Sequence, residues 1–356
     1  MHMLLFAILS ILNLGPLHEA GYKGAGKTIA VIDGGFYRVD SLPDIFPPER
    51  IVGYKDFLND SSTFLVSPTE GHGAMVLSTM LTEYDKEGAP FGTAPEASYY
   101  LIRTEDSQKE YPEEMDYLAE GIRYADSIGA DIITISLGYR LFDGGFGDLT
   151  YEDLNGKSKV SQAATMAARH GKLVCVAAGN DGNNDWHFIS VPSDADSILT
   201  VGAVSADSIA GGFSSYGPAA DGRKKPEVSA WGVACPVYNS YAEDFTISNG
   251  TSFATPRIAG MAACIWQALP QLTAMQLRQL IIESASDYPN WHEQAGYGIP
   301  NAGMIVSRAN GLTETGTSEE EEPVYYNLQG IRLDYMPEHG FYIEKRGATA
   351  KKILRP

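Results

Sequence analysis

Apolar residues in this chain come in short β-branched runs separated by longer stretches of helical spacing. The runs at 28–33 (TIAVID), 131–138 (DIITISLG), 173–180 (LVCVAAGN) and 198–204 (ILTVGAV) are each too short for a helix and read as strands. Between them, residues 114–128 and 160–170 repeat apolar positions at helical spacing, and Gly171 closes the second stretch as a C-terminal cap. A further helix is predicted over 273–284, opened by a capping box of Thr273 and Gln276. Strand alternating with helix predicts an α/β fold, a parallel sheet covered by helices on both faces.

The pattern changes after Leu312. Residues 313–323 (TETGTSEEEEP) hold five acids and no base, the composition of a solvated linker. Residues 324–356 then switch to short alternating pieces (VYYNL, FYIEK, KKILR), a small β module with little core of its own. The expected organisation is a main domain over 1–312, the linker, and this module. At the other end, residues 1–12 (MHMLLFAILSIL) have the apolar length of a signal-peptide core but no basic residue before it and no small-x-small site after it. A residual signal segment and a buried N-terminal helix both fit. No other stretch approaches the ~18 apolar residues of a membrane span.

Composition narrows the partners. Twenty-six Lys and Arg against forty-five Asp and Glu give a formal charge of −19, a field that repels nucleic acid and anionic lipid. Cys175, Cys235 and Cys264 are too few, and odd in number, for a disulfide framework, and read as small buried hydrophobes. Residues 21–28 (GYKGAGKT) fit the phosphate-loop pattern G-x-x-x-x-G-K-[ST]. A phosphate loop must leave a strand and open a helix, whereas these glycines lead into a strand, so they read as a turn and no nucleotide partner is expected.

In a parallel sheet, sites form beyond the carboxyl ends of the strands, where Asp33, Ser136 and Asn180 fall here. A candidate base, His72, lies between Gly71 and Gly73 at the start of an apolar helical pattern through Met75, Val76, Thr79 and Met80. Flanking glycines let another segment approach its backbone closely. A candidate nucleophile, Ser252, follows Gly250 and Thr251 and opens an apolar helix, with Pro256 expected in the first turn. Its N–H at a helix start suits it to stabilise an oxyanion. Taken singly these residues have ordinary readings as turn residue, core histidine and N-cap. Together they supply an acid, a base and a nucleophile.

With these residues in that order, the chain resembles the subtilisin-like serine proteases of the subtilase superfamily (peptidase family S8). IAVIDGG is similar to the family's aspartate motif, GHGAMV to its histidine motif and NGTSFATPRIAG to its serine motif, and GGFSSYGP and KPEVSAWGV to further landmarks, over residues 12–305. The resemblance implies a subtilisin-like fold and a serine endopeptidase acting on peptides or proteins, with Asp33, His72 and Ser252 catalytic and Asn180 in the oxyanion hole. It further implies that Ser136, Leu137 and Gly138 pair with substrate and wall the first specificity pocket opposite Ala177, Ala178 and Gly179. Asp181 puts negative charge at the rim of that pocket, and a broad preference led by medium or large apolar side chains is expected. A non-catalytic peptide-binding pseudoprotease, and a transpeptidase or peptide cyclase using an amine as acceptor, are the rival readings. For the latter, the insertion at 139–157 is either a lid or a surface loop.

The chain departs from the family in several places. Gly34 follows the aspartate where Thr or Ser is usual, and Trp231 stands where proline is usual. Residues 83–95 are short and lack an Asn-rich calcium loop, so calcium is not carried over and no metal or cofactor is expected. Nothing like the family's inhibitory pro-domain is read before the catalytic unit, which fits either a trimmed chain or an enzyme that matures differently. The tail, in turn, resembles the C-terminal sorting modules of exported proteins of the Bacteroidetes group, which implies a secreted or cell-surface enzyme.

Overall fold

Thr28–Asp33 (β1), Ile51–Asp56 (β2), Ser98–Arg103 (β3), Ile132–Ile135 (β4), Leu173–Ala177 (β5), Leu199–Val204 (β6) and Val228–Trp231 (β7) build the main sheet. The computed structural model describes residues 7–59, 70–145, 147–315, 324–326, 332–333, 340–346 and 349–355. The sheet order is β2-β3-β1-β4-β5-β6-β7, with every neighbouring pair parallel. The four strands predicted from apolar runs are β1, β4, β5 and β6, which are buried at nearly every position because helices cover both their faces. Ala30, Ile32, Ile133, Ile135, Val174 and Val176 point to one face. There they meet Leu118 and Ile122 of helix Glu114–Ser127 and Val160 and Ala164 of helix Lys159–Arg169. The opposite face is covered by helix Thr251–Ala268, buried from Thr251 through Trp266, with helix His72–Leu81 packed against it.

After β1 the chain first adds β2 and β3 on one side, then crosses to β4 on the other. The carboxyl ends of β1 and β4 therefore flank the reversal in strand order, where an open α/β sheet leaves a crevice.

The local signals hold where the backbone decides them. Thr273 Oγ1 accepts from Gln276 N–H at 3.2 Å and Thr273 N–H donates to Gln276 Oε1 at 2.9 Å, the capping box of helix Ala274–Glu283. All three cysteines are free and buried. The phosphate-loop look-alike leads into β1, and its Gly24 and Ala25 N–H groups donate to Gln267 Oε1 at 2.8 and 3.0 Å. One placement is corrected: Pro256 is the sixth residue of its helix, in the second turn and not the first.

Of the apolar N-terminal segment, Ala7–Ile11 is helical and residues 1–6 lie outside the described residues. The chain divides into two compact units, 1–306 and 307–356. Helix Ala302–Thr315 takes the first three residues of the expected linker, and 316–323 lie outside the described residues. In the second unit, Val324–Tyr326, Arg332–Leu333, Gly340–Arg346 and Thr349–Arg355 form a four-stranded antiparallel sheet. Among the described residues, no helix is long and apolar enough to cross a membrane.

Candidate active site

Asp33 ends β1 with no exposed surface. Its Oδ1 accepts from the Gly34 N–H at 2.9 Å and from His72 Nδ1 at 2.7 Å, while Oδ2 has no partner. Glycine makes this meeting of strand end and helix start feasible. A Cβ on Gly73 would lie 2.5 Å from the Gly35 carbonyl oxygen and 2.9 Å from Asp33 Cβ, so any side chain there would push the His72 helix away. Arg103, the register partner of Asp33 on β3, locks the junction from below. Its buried guanidinium donates to the Gly34 carbonyl at 3.0 Å, to Asp56 at 3.3 Å and to Glu70 at 2.6 Å, tying the end of β1 to the residue two before His72. Sequence reasoning missed Arg103, whose only signal is a lone cation closing an apolar strand.

Ser252 sits in the first turn of its helix, 7 % exposed. Its hydroxyl donates to the Ser136 carbonyl at 3.3 Å. Pro256 has no N–H to give the carbonyl four residues back, which is that of Ser252, and the ring crowds the same oxygen. The Ser136 hydroxyl takes over by donating to the Ser252 carbonyl at 2.9 Å. A proline in the second turn is thus tolerated because the residue after β4 carries a hydroxyl. Phe253, the next residue, packs its ring 5.7 Å from that of His72, so base and serine lie on adjoining surfaces.

Asn180 follows β5, and its Oδ1 accepts from both the N–H and the hydroxyl of Thr251, at 2.9 and 3.0 Å. Two donors on one atom fix the amide orientation, so Nδ2 is the donor left to the site. Thr251 is a second residue to which the sequence analysis gave no role.

Asp33, His72, Asn180, Thr251 and Ser252 line one cavity of about 410 Å³, together with residues 136–138, Ala177 and Gly179. Ala178 is the exception among the expected wall residues: successive side chains leaving a strand point to opposite sides, and that of Ala178 is buried in the core. The Asp181 rim charge is also corrected, because Arg140 pairs with it at 2.8 Å. Where the family carries a hydroxyl after the aspartate, Gly34 leaves room that Ser107 fills, its Oγ lying 2.9 Å from where a Cβ would be. Trp231 is fully buried, with the Arg257 guanidinium 5.6 Å over its ring.

The insertion at 139–157 is anchored in the core by Tyr139, Phe142 and Leu154, and none of its described residues lines the cavity; Phe146 lies outside them. In the 83–95 loop, Asp85 Oδ1 accepts from the Glu87 and Ala89 N–H groups at 2.8 and 2.9 Å and so is spent on a turn. Among the described residues, no group of three or more His, Cys, Asp or Glu side chains could hold a metal ion.

Burial works against a charged His72, but the charge of Asp33 and its hydrogen bond, with Glu105 further off, outweigh it and set the imidazole pKa above its ordinary value. The pair is thus built to stabilise an imidazolium once a proton arrives.

The sequence profile described as the Subtilase family matches residues 24–298. Subtilisin DY of Bacillus licheniformis is 30% identical over 279 residues, covering 78% of this chain and 90% of that protein. Among solved structures, the protease domain of PatA matches with a TM-score of 0.63 at 21% identity, over 82% of this chain and 98% of that one. The PatG macrocyclase in complex with peptide matches with a TM-score of 0.63 at 19% identity, over 83% and 95%. At such identities the structures speak for the fold alone. The profile and the subtilisin settle the lineage: the chain belongs to the subtilase family of serine proteases.

Proposed function

We propose that this protein is a serine endopeptidase in which Ser252 is the nucleophile, His72 the general base and acid, and Asp33 the residue that holds the imidazole tautomer. The observation that carries the reading is the 2.7 Å contact of His72 Nδ1 with a fully buried Asp33 carboxylate beside Ser252 in one cavity. With Nδ1 spent on Asp33, Nε2 is the basic nitrogen. A turn about the Cα–Cβ bond takes the Ser252 hydroxyl from the Ser136 carbonyl towards that nitrogen. His72 accepts its proton as Oγ attacks the scissile carbonyl, then returns the proton to the departing amine. Asn180 Nδ2 and the Ser252 N–H receive the oxyanion. A non-catalytic relative would have lost one of these groups, and all are present.

Asn180→Ala is expected to lower kcat about 10²–10³-fold with KM little changed, a magnitude borrowed from a subtilisin, because the donor acts only as negative charge develops on oxygen. Steady-state kinetics on one peptide would check it, and an unchanged kcat would remove Asn180 from the oxyanion site. The first pocket favours apolar side chains in this reading, since Asp181 is already paired with Arg140. Cleavage of a mixed peptide library, with and without a serine-directed covalent inhibitor, tests the activity; inhibitor-insensitive cleavage, or none, would count against it.

The tail is proposed to serve export to the cell surface and not catalysis. All the groups above precede residue 260, so a chain ending after Thr315 is expected to keep peptidase activity within a few-fold while losing surface delivery in its host. An inactive or unfolded truncation would make the tail part of the protease.

A further inference from the structure

Glu105 and Glu110 line the same cavity as Asp33, His72 and Ser252, and the mechanism uses neither. They follow β3, so the strand order places them across β1 from β4 and β5, whose ends supply the walls of the first pocket. Glu105 Oε1 stands 3.7 Å from where a Cβ on Gly34 would be, beside the residue that departs from the family pattern. Among the described residues, the charged groups that act on Glu105 include Glu110, Asp33, Glu114 and His72, with the buried Tyr139 hydroxyl nearby, and those that act on Glu110 include Glu114 and Asp143. His72 is therefore the sole cationic candidate among them, and Asp33 already engages it. Asp181, another acid of the lining, is neutralised by Arg140. A further observation points the same way: Asp33 Oδ2, on a residue with no exposed surface, is without a partner at this cavity.

Burial and their carboxylate neighbours push Glu105 up to about 8 and Glu110 up to about 7. An entering cation would relieve that penalty, since an opposite charge at close range favours the ionised form. In an extended peptide, successive side chains point to opposite sides. With the scissile side chain seated between residues 136–138 and Ala177 and Gly179, this alternation turns its immediate neighbour away from them, and His72, Gly34, Glu105 and Glu110 are among the residues lining the rest of the same cavity.

We propose that Glu105 and Glu110 form a cation-binding subsite that selects a lysine or arginine side chain on a residue adjacent to the scissile one. This rests on the protease reading above. The test uses the full chain and peptides that differ only in lysine, norleucine or glutamate at either neighbour of the cleaved residue, with kcat/KM compared as a ratio within each enzyme form. At pH 9, where both carboxyls are ionised, lysine is expected to exceed norleucine by about tenfold and glutamate to be the poorest. At pH 6 the lysine advantage should shrink, because both carboxyls are then protonated in the free enzyme. Glu105→Gln with Glu110→Gln should bring the ratio near one, with Glu110→Gln alone in between. Wild-type enzyme that cleaves all three peptides equally, or a ratio unchanged by the substitutions, would overturn the subsite. Should the double variant fail to fold, the wild-type ratio at the two pH values and the Glu110→Gln enzyme decide the matter. Labelling by a fluorophosphonate keeps the two readings apart: labelled enzyme without a cation preference sinks the subsite alone, whereas a chain that neither labels nor cleaves sinks both.

Discussion

Ser252→Ala is expected to abolish peptide hydrolysis, lowering kcat by about a millionfold, a magnitude borrowed from a subtilisin, while leaving the fold intact. The loss is large because, in the proposed mechanism, the three groups act as a unit: without Oγ, neither the base nor the aspartate has a proton to manage. The structural cost is small. Oγ makes one long hydrogen bond, 3.3 Å to the Ser136 carbonyl, and the bond that offsets Pro256 runs the other way, from the Ser136 hydroxyl to a backbone oxygen that alanine retains. Losing a single hydrogen bond of this kind costs about 1 kcal/mol. Turnover and a thermal melt on the same sample would check both halves of the prediction. A variant that melts normally and still cleaves at an appreciable rate would move the nucleophile elsewhere.

Asp33→Asn is the next largest effect expected, about 10⁴-fold in kcat, because an amide at this position no longer demands a proton on Nδ1 and the imidazole can take the wrong tautomer. The substitution should also change the pH profile. The proposed mechanism needs neutral His72, so activity should rise with pH through the imidazole pKa of the folded protein, which lies above the ordinary value of 6.5. Removing the Asp33 charge removes a cause of that elevation, and the acid limb of kcat/KM should move to lower pH. Stability runs the opposite way. A raised histidine pKa contributes stability that is fully present below about 6.5 and is lost as pH rises through the folded value. The wild-type protein should thus gain from the His72–Asp33 pair on the acid side, where it is least active, and the variant should lack that gain. An Asp33→Asn enzyme with the wild-type acid limb would mean that some other group sets it.

How far the sequence could be read follows from where each strand lies. Strands β1, β4, β5 and β6 lie inside the sheet, buried at nearly every position, and so appear as unbroken apolar runs, whereas β3, also inside it, keeps two positions half-buried and mixes in tyrosines. Strand β2 is an edge strand with Val52 and Tyr54 exposed, and its mixed run IVGYKD carries no such signal. The residues proposed to do the chemistry were legible because helix starts and strand ends place them. The residues that hold them were not: Arg103, Thr251 and the hydroxyl of Ser136 act through contacts across the chain, from β3 to Glu70, from one helix to the end of β5, and from β4 to the carbonyl that Pro256 leaves without a donor. Pro256 itself shows the limit of local rules, since its second-turn place depends on a partner more than a hundred residues away in sequence. Glu105 and Glu110 sit in a polar stretch, TEDSQKEYPEE, that looks like any solvated loop; only the fold turns them towards Asp33.

The central claim is that Ser252 is a nucleophile activated by His72 and Asp33, and covalent labelling by a fluorophosphonate, mapped by mass spectrometry of the digested protein, tests it most directly. The account predicts a single adduct, on Ser252, forming faster as pH rises through the His72 pKa and absent from Ser252→Ala. An unlabelled wild-type chain, or an adduct on another serine such as Ser136 that survives Ser252→Ala, would contradict it.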